Sequence, residues 1–337
     1  MLPVYKPTPT YSSAFSNLTS PHITMSSSTP TLVNIGTHSL ALYTHGPDPS
    51  TPSDPVLVFI PGIASSRLVW SAVLRQLPAS LRSYTYDRSG FGNSEPSRLA
   101  PTAETIAQEL WRLLTQAAIS NPLVLVGHSW AGVLIAEFLA LQGAAARVAG
   151  VVLVDANHES ALQVLDPNDA DLRAVAAGVD AYAGMGVEAE HKLTRGEWDA
   201  FVADQAGEAY SVVAEREEAE YVASFVTLRA KGQPGLQPLL GSKPVFVIGG
   251  MRSRDWSGLY RAGVERGNGT EEQRARVRDL IASADEKSEG LMREFCKLST
   301  KSKLVFARES GHFVQLTQPE VVVEGIEWVL RELRTGE

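Results

Sequence analysis

Gly127-His128-Ser129-Trp130-Ala131-Gly132 is the stretch of this chain with the plainest chemical potential. An apolar strand, Leu123 to Val126, leads into it, and a helix reading from Trp130 to about Leu141 leads out. A serine between such elements is forced into a tight turn that aims its hydroxyl out of the sheet. The spacing departs from G-x-S-x-G at one place, with Ala131 in the last position and Gly132 directly behind. Small residues on both sides let the helix approach the strand closely. The helix's first backbone N–H, on Trp130, then faces the oxygen that turns negative when the hydroxyl attacks a carbonyl. The chemistry is nucleophilic attack by Ser129, which needs a base, and Gly311-His312 near the C-terminus offers an imidazole.

The elements that must position these residues alternate. Val56 to Ile60 is a continuous apolar run, as suits a parallel strand covered on both faces, and it ends in the glycine turn Pro61-Gly62-Ile63-Ala64-Ser65-Ser66, where backbone N–H groups can be left free. A helix over Leu68 to Leu77, a strand over Ser83 to Tyr86 and the turn Asp87 to Ser94 follow. The helix Thr102 to Ala118 places Ile106, Leu110, Leu113 and Leu114 on one face, and the strand Val151 to Val154 ends in Asp155. This alternation predicts a mostly parallel α/β sheet with ligands at the carboxyl ends of strands, where Pro61-Gly62, Asp87, Ser129 and Asp155 all lie. Two short antiparallel strands, Thr31 to Ile35 and Ser39 to Thr44, precede it.

After Asp155 the alternation stops. Asn157 to Lys243 reads as helices, with Trp198, Phe201 and Val202, then Tyr221, Phe225 and Leu228, at helical spacing. The expected organisation is a disordered tail over 1-30, a first core part over 31-156, a helical lid insertion over 157-243 and a second core part over 244-337. That second part carries a strand from Pro244 to Gly249, a helix capped at Thr270, a strand from Lys303 to Ala307 and a closing helix from Glu320 to Arg334.

Composition narrows the partners. The chain has 337 residues, 44% hydrophobic and 20% charged, with a net charge of −8, which argues against a nucleic-acid or anionic-membrane surface and leaves a small-molecule substrate. The single Cys296 cannot form an intramolecular disulfide and reads as a small core residue on the helix Leu291 to Leu298. His22, His38, His45 and His191 have no metal-like spacing with one another or with Cys296, so neither a metal nor a cofactor is expected. Gly235 to Gly241 before Ser242-Lys243 is spaced wrongly for a phosphate loop. No apolar run approaches the roughly 20 residues a membrane span needs. Met1 to Pro30 lacks the arginines of a transit peptide and the apolar stretch of a secretory signal, so a cytoplasmic protein is expected, with Met25 a possible alternative start. Oligomeric state leaves no mark in the sequence.

Four segments, in this order, resemble the α/β-hydrolase superfamily: the Pro61-Gly62-Ile63 turn, the Asp87 to Ser94 turn, the Gly-His-Ser129 turn, and Ser310-Gly311-His312-Phe313 before a Pro319-Glu320 helix. The resemblance covers almost everything from Leu32 to Leu333. It implies an α/β-hydrolase fold with Ser129 as nucleophile, His312 as general base and the N–H groups of Ile63 and Trp130 as oxyanion hole. Pro61 stands where the family usually has histidine, and Met251-Arg252-Ser253 replaces the usual aspartate after the Pro244 strand. The acid is then Asp155, at the earlier strand end, or alternatively Asp255, later than the pattern prefers and beside Arg252 and Arg254, with which it could pair on the surface. His128 and His158 border the site, His128 in a structural role, and Asp87 and Arg88 hold their own turn, with Arg88 reaching the pocket as the lesser alternative. The implied activity is that of a serine hydrolase cleaving a small or medium-sized, largely apolar ester, thioester or lactone through an acyl-enzyme. The alternatives are a ligand-binding protein of the same fold with little or no turnover, or a carbon–carbon bond or amide hydrolase using the same triad.

Overall fold

A run of Val, Leu, Ile and Phe with no polar interruption can be a stable strand only where both sheet faces are covered, and this chain has three such runs side by side. In the computed structural model, which describes residues 29–232 and 237–335, β3 (Val56–Ile60) and β5 (Leu123–His128) are buried at every position, and β6 (Val148–Val154) at all but one. Around them lie β1 (Thr31–Asn34), β2 (Ser39–His45), β4 (Ser83–Tyr86), β7 (Val245–Gly250) and β8 (Ser302–Ala307). The eight strands form one sheet in the order β1-β2-β4-β3-β5-β6-β7-β8, antiparallel at the β1–β2 and β2–β4 joins and parallel elsewhere. Most of the tail and Gly235 lie outside the described residues.

Seven helices of ten or more residues are found among the described residues: α1 (Ala103–Gln116), α2 (Ala131–Ala140), α3 (Arg195–Gln205), α4 (Glu208–Ala230), α5 (Arg252–Glu265), α6 (Glu271–Phe295) and α7 (Pro319–Thr335). Their starts follow from capping chemistry: Thr102 accepts the Thr105 N–H before α1, and complete capping boxes, Thr194 with Glu197 and Thr270 with Gln273, open α3 and α6. One core joins a sheet face to α1, α2 and α6; the other joins the opposite face to α7 and the short helices Arg67–Trp70 and Ser71–Gln76.

Register decides where the reactive residues emerge. His128 of β5 pairs with Val154 of β6, so the residues that follow, Ser129 and Asp155, leave the sheet side by side. Gly250 of β7 pairs with Ala307 of β8, which brings the segments holding Arg252 and His312 to the same edge.

Between Asn157 and Ala230 the described residues are mostly helical, but their packing is not self-contained. Tyr221, Phe225 and Leu228 of α4 belong to the core that covers the sheet, and Phe201 of α3 to the other. The α5–α6 pair, which the sequence assigned to the core's second part, also reaches over the strand ends: Trp256, Leu291 and Met292 line the same cavity as Tyr182, Met185 and Tyr221. No helix among the described residues is long and apolar enough to cross a membrane.

Candidate active site

Backbone strain marks the site before any side chain is considered. Four non-glycine residues among those described have positive φ, and three of them, Ala64 (44°), Ser129 (57°) and Asp155 (39°), follow the carboxyl ends of β3, β5 and β6. Each such residue costs on the order of 1–3 kcal/mol and persists only where its surroundings hold it. Ser129 is held by its N–H donating to Val154 O at 3.1 Å and by its carbonyl accepting from Gly132 N at 3.0 Å and Asn157 N at 2.7 Å.

The glycines explain the tight turn. A Cβ on Gly127 would lie 2.9 Å from Ala131 Cβ and 2.6 Å from Ile135 Cδ1, and one on Gly132 would lie 2.5 Å from Asn157 O. The methyl of Ala131 therefore uses space that Gly127 leaves empty, so the departure from G-x-S-x-G costs the turn nothing.

Ser129, His312 and Asp155 form one hydrogen-bonded line. His312 Nε2 lies 2.9 Å from Ser129 Oγ, and His312 Nδ1 lies 2.6 Å from Asp155 Oδ2. An ionised carboxylate can only accept, so Nδ1 carries the proton and Nε2 is left to receive the serine hydroxyl's. Asp155 Oδ1 accepts the Gly250 N–H at 3.0 Å, and Oδ2 also accepts from Arg252 Nη2 at 2.7 Å. Burial alone would raise the Asp155 carboxyl, but Arg252, His312 and the Gly250 N–H outweigh it and hold the group well below the usual carboxylate range. Burial and the Arg252 charge both push the His312 imidazole below its ordinary value, with Asp155 opposing.

Asp255 is placed differently from the expectation. It is buried, at 1% exposure, rather than paired with arginines on the surface, and its Oδ2 accepts the backbone N–H of His312 at 2.7 Å instead of meeting the ring. A Cβ on Gly311 would sit 1.7 Å from Asp255 Oδ1, so glycine is what lets the loop close on this carboxyl. Burial pushes Asp255 up to about 7, against the pull of Arg252 and of the His312 N–H. Arg252 occupies the place of the usual acid and contacts Asp155, while Arg254 turns away to Glu190.

Among the described residues the N–H groups of Ile63 and Trp130 find no acceptor, whereas the next one along the turn, on Ala64, donates to Glu217 Oε2 at 2.9 Å. Both free donors lie near Ser129: Trp130 follows it, and Ile63 lines the same cavity and follows Gly62, where a Cβ would lie 2.9 Å from Ser129 Cβ. Pro61 in place of histidine leaves the turn intact, because its carbonyl accepts from Arg88 Nη1 at 2.9 Å.

His128 is buried with Nε2 on His312 O at 3.0 Å, and burial, then the neighbouring His312, drive it well below its ordinary value; it supports the His312 loop as a neutral ring. His158 does not face the cavity at Ser129: its ring packs edge-on against Phe295. Asn157 does, with Oδ1 3.5 Å from Ser129 Oγ and 3.2 Å from the Tyr221 hydroxyl. The cavity, about 230 Å³, is walled mainly by apolar side chains, among them Ile63, Leu165, Met185, Trp256, Leu291 and Phe313. Among the described residues no cluster of three or more His, Cys, Asp or Glu could hold a metal ion.

Comparisons with known proteins agree with this architecture. A family model described as "Alpha/beta hydrolase family" matches residues 57–325. A protein of Gibberella zeae named "AB hydrolase superfamily protein" is 28% identical over 304 residues, covering 88% of this chain and 92% of that one. A protein of Hormonema carpetanum named "Probable transporter efuK" is 30% identical over 306 residues, 89% of this chain but 42% of that protein, so the chain spans less than half of that relative's length. A crystal structure described as a candidate lipase from Acinetobacter baumannii superposes with a TM-score of 0.63 at 16% identity, over 91% of this chain and 92% of that chain.

Proposed function

This chain belongs to the alpha/beta hydrolase family, and from that premise we propose that it is a serine hydrolase acting on a small or medium-sized, largely apolar ester, thioester or lactone. The observation that carries the reading is the line from Asp155 through His312 to Ser129 Oγ, at 2.6 and 2.9 Å, with the free N–H groups of Ile63 and Trp130 beside the serine.

In the proposed reaction, His312 Nε2 takes the Ser129 proton as Oγ attacks the substrate carbonyl. The negative charge that develops on the carbonyl oxygen is received by the Ile63 and Trp130 N–H groups. Asp155, ionised and shared with Arg252, stabilises the imidazolium. The imidazolium then returns its proton to the departing alkoxide or thiolate, which leaves as alcohol or thiol and yields the acyl-enzyme. Water attacks the acyl carbon, gives one proton to His312, and releases the acid as the Ser129 oxygen is reprotonated. In this reading the helices between Asn157 and Lys243, with α5 and α6, act as the lid that selects apolar acyl groups.

A binding protein with little turnover would fit a chain lacking an aspartate after β7, and the contact of Asp155 with His312 supports turnover instead. Carbon–carbon and amide cleavage would use the same three residues. A series of chromogenic esters of increasing acyl length tests the proposal: turnover should peak at short to medium acyl chains. Absence of hydrolysis across the series would overturn it.

A further inference from the structure

The turn that carries the Ile63 N–H is gripped by side chains that take no part in the proton transfers. Arg88 is buried, and its Nη1 and Nη2 donate to the carbonyls of Pro61 at 2.9 Å and Gly62 at 2.8 Å. Its Nε and Nη2 also pair with both carboxylate oxygens of Glu217, at 2.6 and 2.7 Å. Glu217 in turn accepts the Ala64 N–H at 2.9 Å, and the Tyr210 hydroxyl donates to the Ala64 carbonyl at 2.5 Å. Glu217 and Tyr210 both stand on α4, in the helical layer, whereas Arg88 follows β4 of the sheet.

The consequence for Ile63 follows from peptide geometry. In a trans peptide the C=O and the following N–H point in opposite directions. Arg88 does not line the cavity, and it draws the Gly62 carbonyl toward itself. The Ile63 N–H, at the other end of that same peptide plane, is thereby turned toward the cavity it shares with Ser129. Glu217 meanwhile consumes the Ala64 N–H and holds Ala64 in its left-handed conformation, φ 44°, which fixes the peptide that follows Ile63. Phe91, Tyr210, Val213 and Ala214 pack with Ala64 into a small apolar cluster beside these bonds.

Resting on the serine hydrolase reading, we infer that Glu217 and Tyr210 of α4, acting with Arg88, are positioning residues for the Ile63 oxyanion donor. The helical layer then does more than select substrates: how α4 is seated sets the rate of the chemical step. A merely structural bolt would leave the chemistry of the folded fraction unchanged. A positioning role is felt in the transition state and hardly in substrate binding.

The test uses the full chain. Wild type is first assayed with a short-chain chromogenic ester; no turnover would overturn the serine hydrolase reading and this inference with it. With wild type active, Glu217→Gln is expected to lower kcat by about 10²-fold, the scale of losing an oxyanion donor, with KM changed less than about threefold. Affinity for an alkyl trifluoromethyl ketone, whose adduct with Ser129 carries the oxyanion, should fall in step with kcat/KM, while affinity for the product alcohol stays level. Gln at this position leaves Arg88 without its countercharge, so Tyr210→Phe, which removes only the hydroxyl on Ala64 O, gives a gentler second arm with a several-fold fall in kcat expected. If Glu217→Gln does not fold, Tyr210→Phe decides alone. Wild-type kcat and ketone affinity in the folded variants, or a loss confined to KM, would overturn the positioning role while leaving the hydrolase reading intact.

Discussion

Two sets of residues meet around Ser129, and they reach it by different means. Ser129 and Asp155 leave adjacent strands at left-handed φ, so backbone at the sheet's edge determines where their side chains go. Arg252, Asp255 and Glu217 come from helices and meet the same centre through extended side chains: on Asp155 at 2.7 Å, on the His312 N–H at 2.7 Å and on the Ala64 N–H at 2.9 Å. The sheet thus places the atoms proposed to react, and the helices set their charge and hold their turns. The two sets should therefore fail differently when altered: loss of the first removes a chemical step, whereas loss of the second weakens or retunes it.

The largest separation is expected at the reacting atoms. Ser129→Ala and His312→Ala should each reduce kcat by about 10⁶ with the fold retained, and the double variant should lose little more, because the two act as one unit. Circular dichroism with ester turnover checks this, and near-normal turnover in Ser129→Ala would remove the comparison's first half.

Next come the two buried aspartates, which test the division directly. Asp155→Asn should lower kcat by about 10⁴, because the amide cannot stabilise the imidazolium. Asp255→Asn keeps an oxygen for the His312 N–H and should cost kcat far less, no more than about tenfold, as fits a group that holds backbone. The reverse order of losses would place the acid on the helix and undo the assignment.

The smallest effect is a shift rather than a loss. His312 must be neutral to accept a proton, and burial together with Arg252 lowers its pKa, so the acid limb of the kcat/KM profile should fall below pH 6.5, the ordinary histidine value. Arg252→Met removes a charge that disfavours the imidazolium and leaves Asp155 free to favour it, so the limb should move upward. An unmoved limb would mean that the helical arginine does not tune the base.

The same division explains what could be read in the sequence. Strands β3 to β8, the serine turn and Asp155 at its strand end were legible because apolar runs and turn residues report directly on backbone. The contacts of the helix-borne residues were not, for a physical reason. Asp255 stands between Arg254 and Trp256, three residues after Arg252, and an acid beside two arginines reads as a surface ion pair. What buries it is the Gly311-His312 loop, 57 residues away. Glu217 is likewise an acid in an acid-rich helix, Glu215 to Glu220; only its place on the buried stripe with Val213 and Tyr221 sets it apart, and its partner Arg88 is 129 residues distant. Arg252 was visible as the residue in the acid's usual place, yet its contact with Asp155 depends on the β6–β7 pairing. The wall supplied by α5 and α6 was missed because amphipathic spacing shows which face of a helix is buried and not against what.

Whether Ser129 is an activated nucleophile is decided by labelling the full chain with a fluorophosphonate and locating the adduct by peptide mass spectrometry. One adduct per chain is expected, on Ser129, formed at a rate whose acid decline has its midpoint below pH 6.5 and absent after heat denaturation. No adduct on the folded chain, or an adduct on another serine, would contradict it.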